Sequence, residues 1–310
     1  MLKKNGAPPA TKSPYAVGFV LLLLTALLYT LTNYGGIRAA DSEIVFRLSE
    51  SIATEGKLDV KELELWPGFG VSPGKDQKKY PVFGPAESFL NVPFYLLART
   101  INKTGWYNNL SYLPPSHYCT DGIFSFVRNR TPRQPEQHAL RFIVSFFNVL
   151  VSTLTVSVFW LIMWSLLRHT FSAFAAASVF AFGTLLWPYS GTFFSEPLAT
   201  LFVLLSFYLL VIRERAVSAS AQEKTALNAP GNPGKDDQKD KNKIKVSFLR
   251  KLLRQINNKF LWAGIFLGVA IAAHLTAVLF VPFFMIYGFF LAKHKGRLRR
   301  SDIASGGQNP

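Results

Sequence analysis

Four side chains able to move or hold a proton stand out against an otherwise apolar sequence. Asp41 and Glu43 lie in Ala40-Asp41-Ser42-Glu43, Glu196 is the one acid between residues 169 and 212, and His274 sits in an uncharged stretch over 260–292. A carboxylate at a membrane mouth accepts a proton from a hydroxyl or holds a metal, and a cation beside it balances a lipid phosphate. Each residue also has a plainer reading. Asp41 and Glu43 suit the first turn of an amphipathic helix, where acids complement the helix dipole. Glu196, followed by Pro197, suits the start of a helix at an interface, and a lone histidine in an apolar stretch is commonly a satisfied structural residue. Trp187 and Tyr189 read as interface anchors. Cys119 is the only cysteine, which excludes an internal disulfide framework and any cysteine-rich zinc or iron–sulfur site. There is no phosphate-cradling glycine loop, nucleophile elbow or HExxH, and the sequons beginning at Asn102, Asn109 and Asn129 matter only in a secretory lumen.

The elements that must position these groups follow from composition. Of 310 residues, 49% are hydrophobic and 15% aromatic, only 17% are charged, and the mean hydropathy is +0.20. That apolar excess needs lipid. Residues 142–167 and 260–292 carry no charge and 169–212 only Glu196, each longer than the roughly 18 residues that read as a membrane span. The 34 Lys+Arg against 18 Asp+Glu, a net charge of +16, would point to nucleic acid in a soluble chain. Here the basic runs flank apolar stretches and read as topology determinants and anionic-lipid contacts, with no nucleic-acid partner.

Charge placement gives an order of segments. Residues 1–14 form a cytoplasmic tail and 15–33 a first span, read as an uncleaved anchor because no A-x-A site follows it. Residues 34–141 form one external loop with 13 Lys+Arg and 11 acids, and 142–212 hold three spans, the last two divided at Trp187-Pro188-Tyr189-Ser190-Gly191. Residues 213–259, with 12 Lys+Arg and 5 acids, form a disordered cytoplasmic loop, the stretch 218–247 lacking a fixed fold. Residues 260–292 form two short spans turning near His274-Leu275-Thr276, and 293–310 a cytoplasmic tail. In the external loop, Ile44, Leu48 and Ile52 predict an amphipathic helix ended by Gly56, Phe89–Ile101 an interfacial helix, and 105–135 a loop. The fold class is therefore an all-α polytopic membrane protein of about six transmembrane helices, both termini cytoplasmic. This count brings Asp41, Glu43, Glu196 and His274 to one external face.

In this order the chain resembles the GT-C superfamily of integral membrane glycosyltransferases, which includes protein O-mannosyltransferases and bacterial aminoarabinose transferases. The resemblance covers most of residues 14–295. It rests on the acid after the first span (Ala40-Asp41-Ser42-Glu43), Lys79-Tyr80-Pro81-Val82-Phe83-Gly84-Pro85, Leu90-Asn91-Val92-Pro93-Phe94-Tyr95, Leu186-Trp187-Pro188-Tyr189-Ser190 leading into Phe194-Ser195-Glu196-Pro197-Leu198, and Gly268-Val269-Ala270 through His274 to Val281-Pro282. It implies transfer of a sugar from a polyprenyl-phosphate donor to a glycan, lipid or protein acceptor, at the outer face of a bacterial inner membrane. Asp41, seconded by Glu43, would be the catalytic base, while Glu196, His274, Arg141, Tyr80 and Tyr189 would bind substrate, His274 and Arg141 as cations for the leaving phosphate. No organic cofactor is implied and a divalent metal is optional. Many members carry Lys or Arg where this chain has His274, and members usually have more spans, so a fragment, a minimal relative and a degenerate paralogue all fit. A transporter or lipid-handling protein and a non-catalytic subunit of the same fold remain the alternatives.

Overall fold

The computed structural model describes residues 14–64, 66–109, 135–227 and 259–290. It is mostly helical. The helices are α1 (Pro14–Leu31), α2 (Ala40–Glu55), α3 (Ala86–Asn102), α4 (Pro135–Leu167), α5 (Thr170–Phe182), α6 (Leu186–Ser190), α7 (Glu196–Leu227), α8 (Lys259–Ala273) and α9 (Leu275–Phe290). A two-stranded antiparallel hairpin, β1 (Val71–Pro73) and β2 (Lys79–Pro81), pairs Ser72 with Tyr80 inside the external loop of the sequence reading. The chain divides into two compact units, residues 1–201 and 202–310.

In the first unit, an apolar layer is built from α1, α4 and α5. α1 runs antiparallel to α4: Tyr15 meets Trp164 at 5.7 Å between rings, and at the other end Asn33 Nδ2 donates to Ser145 Oγ at 3.2 Å. Gly18 makes the approach close, since a Cβ there would collide with the Trp160 indole. α5 folds back along α4 through Ala173, Ala177 and Ala181, each fully buried, and Phe159 stacks on Phe180 at 4.2 Å. Small residues in one row let helix backbones approach. The outward residues of α1, including Phe19, Leu23, Leu27 and Leu31, remain exposed. α1 and α4 are the two helices long and apolar enough to cross a membrane.

Against one end of this layer sits a polar cap made of α2, α3, the hairpin and the first turns of α4. α2 starts and stops where the sequence predicts, with Gly56 closing it at a φ of 66°. It is more enclosed than a single apolar stripe implies: Ile44 and Leu48 pack on Val60, Leu63 and Val71, while Val45 and Phe46 are covered by α3. α3 is inverted relative to a soluble helix. Its buried stripe is Glu87, Ser88, Asn91, Tyr95, Ala98 and Asn102, and its outer face exposes Phe89, Leu90, Leu96, Leu97 and Ile101.

Three segments differ from the sequence reading. The span pair expected within 171–212 is unequal, because α5 has only 13 residues. The divide is a short connection: the helix breaks at Gly183 and again at Gly191, and Pro188 lies inside α6, in a first turn whose N–H groups need no helical acceptor. The loop expected from 213 begins as helix, since α7 continues to Leu227, which corrects the lack of fold expected for 218–227; residues 228–258 lie outside the described residues.

In the second unit, α8 and α9 meet at His274, whose φ of −145° and ψ of 118° break the helix, and Leu275–Phe280 resumes as a 3-10 turn. The chain reverses there. Phe260, near the start of α8, lies 3.6 Å from the Cβ position of Gly288, near the end of α9. Ser206 Oγ donates to the Ala263 carbonyl at 2.7 Å, and Phe207 meets the Tyr287 ring at 6.1 Å.

Candidate functional site

The first turns of three helices bring three carboxyl groups together in the first unit. α2 and α3 run parallel, because Ser88 Oγ donates to the Val45 carbonyl at 2.9 Å and, further along both helices, Tyr95 Oη donates to Glu50 at 3.1 Å. Their opening turns, carrying Asp41 and Glu87, therefore lie side by side. α4 holds the entry to α7 against them: Asn148 Nδ2 donates to the Phe194 carbonyl at 2.8 Å, and Phe147 packs on both Phe94 and Phe193. Glu196 thus opens α7 within electrostatic range of both Asp41 and Glu87.

The three acids differ in environment. Asp41 is half-buried, and its Oδ1 accepts from the Ser42 N–H at 2.9 Å. Burial raises its carboxyl above the ordinary range, the Ser42 N–H opposes that, and the negative charge of Glu196 adds to it. Glu87 is fully buried, and neither carboxyl oxygen has a hydrogen-bond partner. Burial, then the charges of Glu196 and Asp41, push it up to about 8. Sequence reasoning missed Glu87. The available signal was an acid two positions after Pro85 in Gly84-Pro85-Ala86-Glu87, at a helix start, which reads most simply as a dipole-matching first-turn residue.

Glu43, expected beside Asp41 as a catalytic acid, belongs to a separate structural network. It is 0% exposed and is held bidentately by Arg141, with Nη2 to Oε1 at 2.7 Å and Nε to Oε2 at 3.0 Å. Arg47 Nε adds a contact at 3.1 Å and reaches on to Glu64 and the Glu62 carbonyl. The Arg141 guanidinium also lies over the Phe46 ring at 4.2 Å. Arg141 is thus engaged in a buried pair that joins α2 to α4, away from the open cleft that Glu196 lines.

Glu196 also lines an open cleft of about 750 Å³ with Phe180, Thr184, Leu186, Tyr189 and Thr200. Tyr189 lines the same cleft, its ring 5.5 Å from Phe194. Asp41 and Glu87 are not among the lining residues of this cleft. Tyr80 lies in the hairpin, where its hydroxyl donates to Asp76 at 2.8 Å. His274 belongs to the second unit, with Nδ1 2.6 Å from Thr276 Oγ1. Among the described residues, no three His, Cys, Asp or Glu side chains gather as a metal site requires. No protein-family model, curated protein or solved structure matches the chain.

Proposed function

We propose that this chain is a membrane glycosyltransferase of the GT-C kind, or its site-bearing part, moving a sugar from a polyprenyl-phosphate donor to a hydroxyl acceptor outside the membrane. The observation that carries the reading is the pairing of Asp41 with Glu196, 155 positions apart, at the end of the apolar layer. In this reading Asp41 takes the proton of the acceptor hydroxyl as its oxygen attacks the anomeric carbon. The bond from that carbon to the lipid phosphate breaks, configuration inverts, and Glu196 stabilises the positive charge that develops on the sugar ring. A carboxylate with raised proton affinity is the better base near neutral pH. Glu43 and Arg141 act here as positioning residues, fixing α2 and hence Asp41.

The membrane arrangement belongs to the same proposal. α1 and α4 cross, α5 with α6 and the first part of α7 form a shorter pair, and the α8–α9 reversal forms the last, giving six crossings with both termini cytoplasmic. Support comes from the apolar outer faces of α1 and α3, which would be costly in water over so large an area. The test is transfer from labelled polyprenyl-phosphate hexose and pentose donors in vesicles containing the full chain. Transfer by the parent and its loss in Asp41→Asn is the expected result; equal transfer by both overturns Asp41 as base.

A further inference from the structure

Glu87 is unlike any other acid among the described residues. It has 0% exposure, and both oxygens lack a hydrogen bond. One turn on, Asn91 is equally buried with both amide atoms unpaired, and Ser42 Oγ on α2 is unpaired too. Charged and titratable groups on the packed elements are Asp41, Glu43, Arg47, Glu50 and Glu55 on α2, Glu136, His138 and Arg141 on α4, and Glu196 at the start of α7. The two arginines are spent on Glu43 and Glu64, so what Glu87 meets electrostatically is the negative charge of Asp41 and Glu196. A carboxylate without hydrogen bonds, out of water and beside two others, cannot hold a third negative charge at modest cost.

We propose that Glu87 is a third functional carboxyl of the Asp41 site, a positioning residue that keeps its proton and so adds no negative charge beside Asp41. The inference rests on the reading of Asp41 as base and adds what sets the upper pH limit of that site. While Glu87 is neutral, the site tolerates the phosphate of a lipid donor. Once Glu87 loses its proton, the same site carries an additional negative charge and repels that phosphate. The effect falls on donor binding, so it should enter KM more than kcat.

Two measurements test it on the full chain in vesicles. Infrared difference spectra from pH 6 to 9 should show a protonated carboxyl lost with a midpoint near 8, shifted by carboxyl-13C glutamate and missing in Glu87→Gln. The isotope marks the band as a glutamate's, and where Glu87→Gln fails to accumulate, Glu87→Asp assigns it by keeping a protonated carboxyl that no longer responds to labelled glutamate. A band insensitive to labelled glutamate, or no protonated carboxyl at pH 6, overturns the proposal. In transfer assays the donor KM of the parent should rise about tenfold from pH 7 to 9, the scale of one added charge at roughly 10 Å, and the rise should vanish in Glu87→Gln. A rise unchanged in Glu87→Gln also overturns it. If no donor is transferred at all, the glycosyltransferase reading fails while the infrared result still decides the protonation of Glu87.

Discussion

Burying an acid for chemistry costs stability, and the acids of this chain can be separated on that basis. Asp41→Asn removes a charge that its surroundings disfavour, so the variant should melt at or above the parent temperature while transfer falls by about 10²–10⁴. Unfolding together with loss of transfer would return Asp41 to a structural role. Glu87 gives a pH signature. Unfolded, it releases its proton near the ordinary 4.5, and folded only near 8, so between these values the folded state binds the extra proton. Stability should therefore be greatest on the acid side, fall as pH rises through that window and level off above it, and Glu87→Gln should lose this slope in thermal melts. Arg141→Ala leaves Glu43 charged and buried without its main partner, and should cost about 3–5 kcal/mol in denaturant unfolding, partly restored in Arg141→Ala/Glu43→Gln. Charge counting puts Asp41 and Glu196 on one side of the expected topology, and the structure has the two within electrostatic range, although Asp41 does not line the Glu196 cleft. The roles of Glu43 and Glu87 were not legible in the sequence, since one depends on Arg141, 98 positions away, and the other on which face of α3 turns inward.

The long helices were visible as uncharged runs, and the ends of α2 as an acidic first turn and a glycine. Harder to read was a helix whose inner stripe is polar. The run Phe89–Ile101 marks α3 as apolar, but periodicity does not say whether the apolar face meets protein or lipid. Exposure of Leu90 and Leu97 assigns that face to the outside. Replacing both with lysine should leave the circular-dichroism spectrum and the Asp41 environment intact while weakening retention of the α3 region at the bilayer surface, read by depth-dependent fluorescence quenching. A collapse of helical signal would mean the face packs on protein. Close approach of α1 to α4 is likewise specific to one residue: Gly18→Val should cost about 1–3 kcal/mol through collision with Trp160, whereas Gly264→Val, with open space at its Cβ, should cost far less.

At the scale of the whole chain, the proposed topology uses the reversal between α8 and α9 to keep the basic runs on both sides of 260–292 on one face of the membrane. Single cysteines at Ser220 and Ser305, in a background lacking Cys119, should both label from the cytoplasmic side; labelling from opposite sides would make 260–292 a single crossing. A different consequence lies in the length of α4. Its 33 residues extend for about 50 Å, whereas the hydrocarbon of a bilayer is roughly 30 Å thick. In the proposed membrane arrangement about 20 Å of α4 stands clear of the hydrocarbon, and this mast carries Arg141, through which α2 and Asp41 are tied to it. Asp41 is then held at a fixed height along the mast, while the phosphate of a lipid donor floats at the level of its own leaflet. Membrane thickness becomes a control variable: across vesicles of increasing acyl length, transfer should pass through an optimum where leaflet and mast bring phosphate and carboxylate into register, and fall on either side of it.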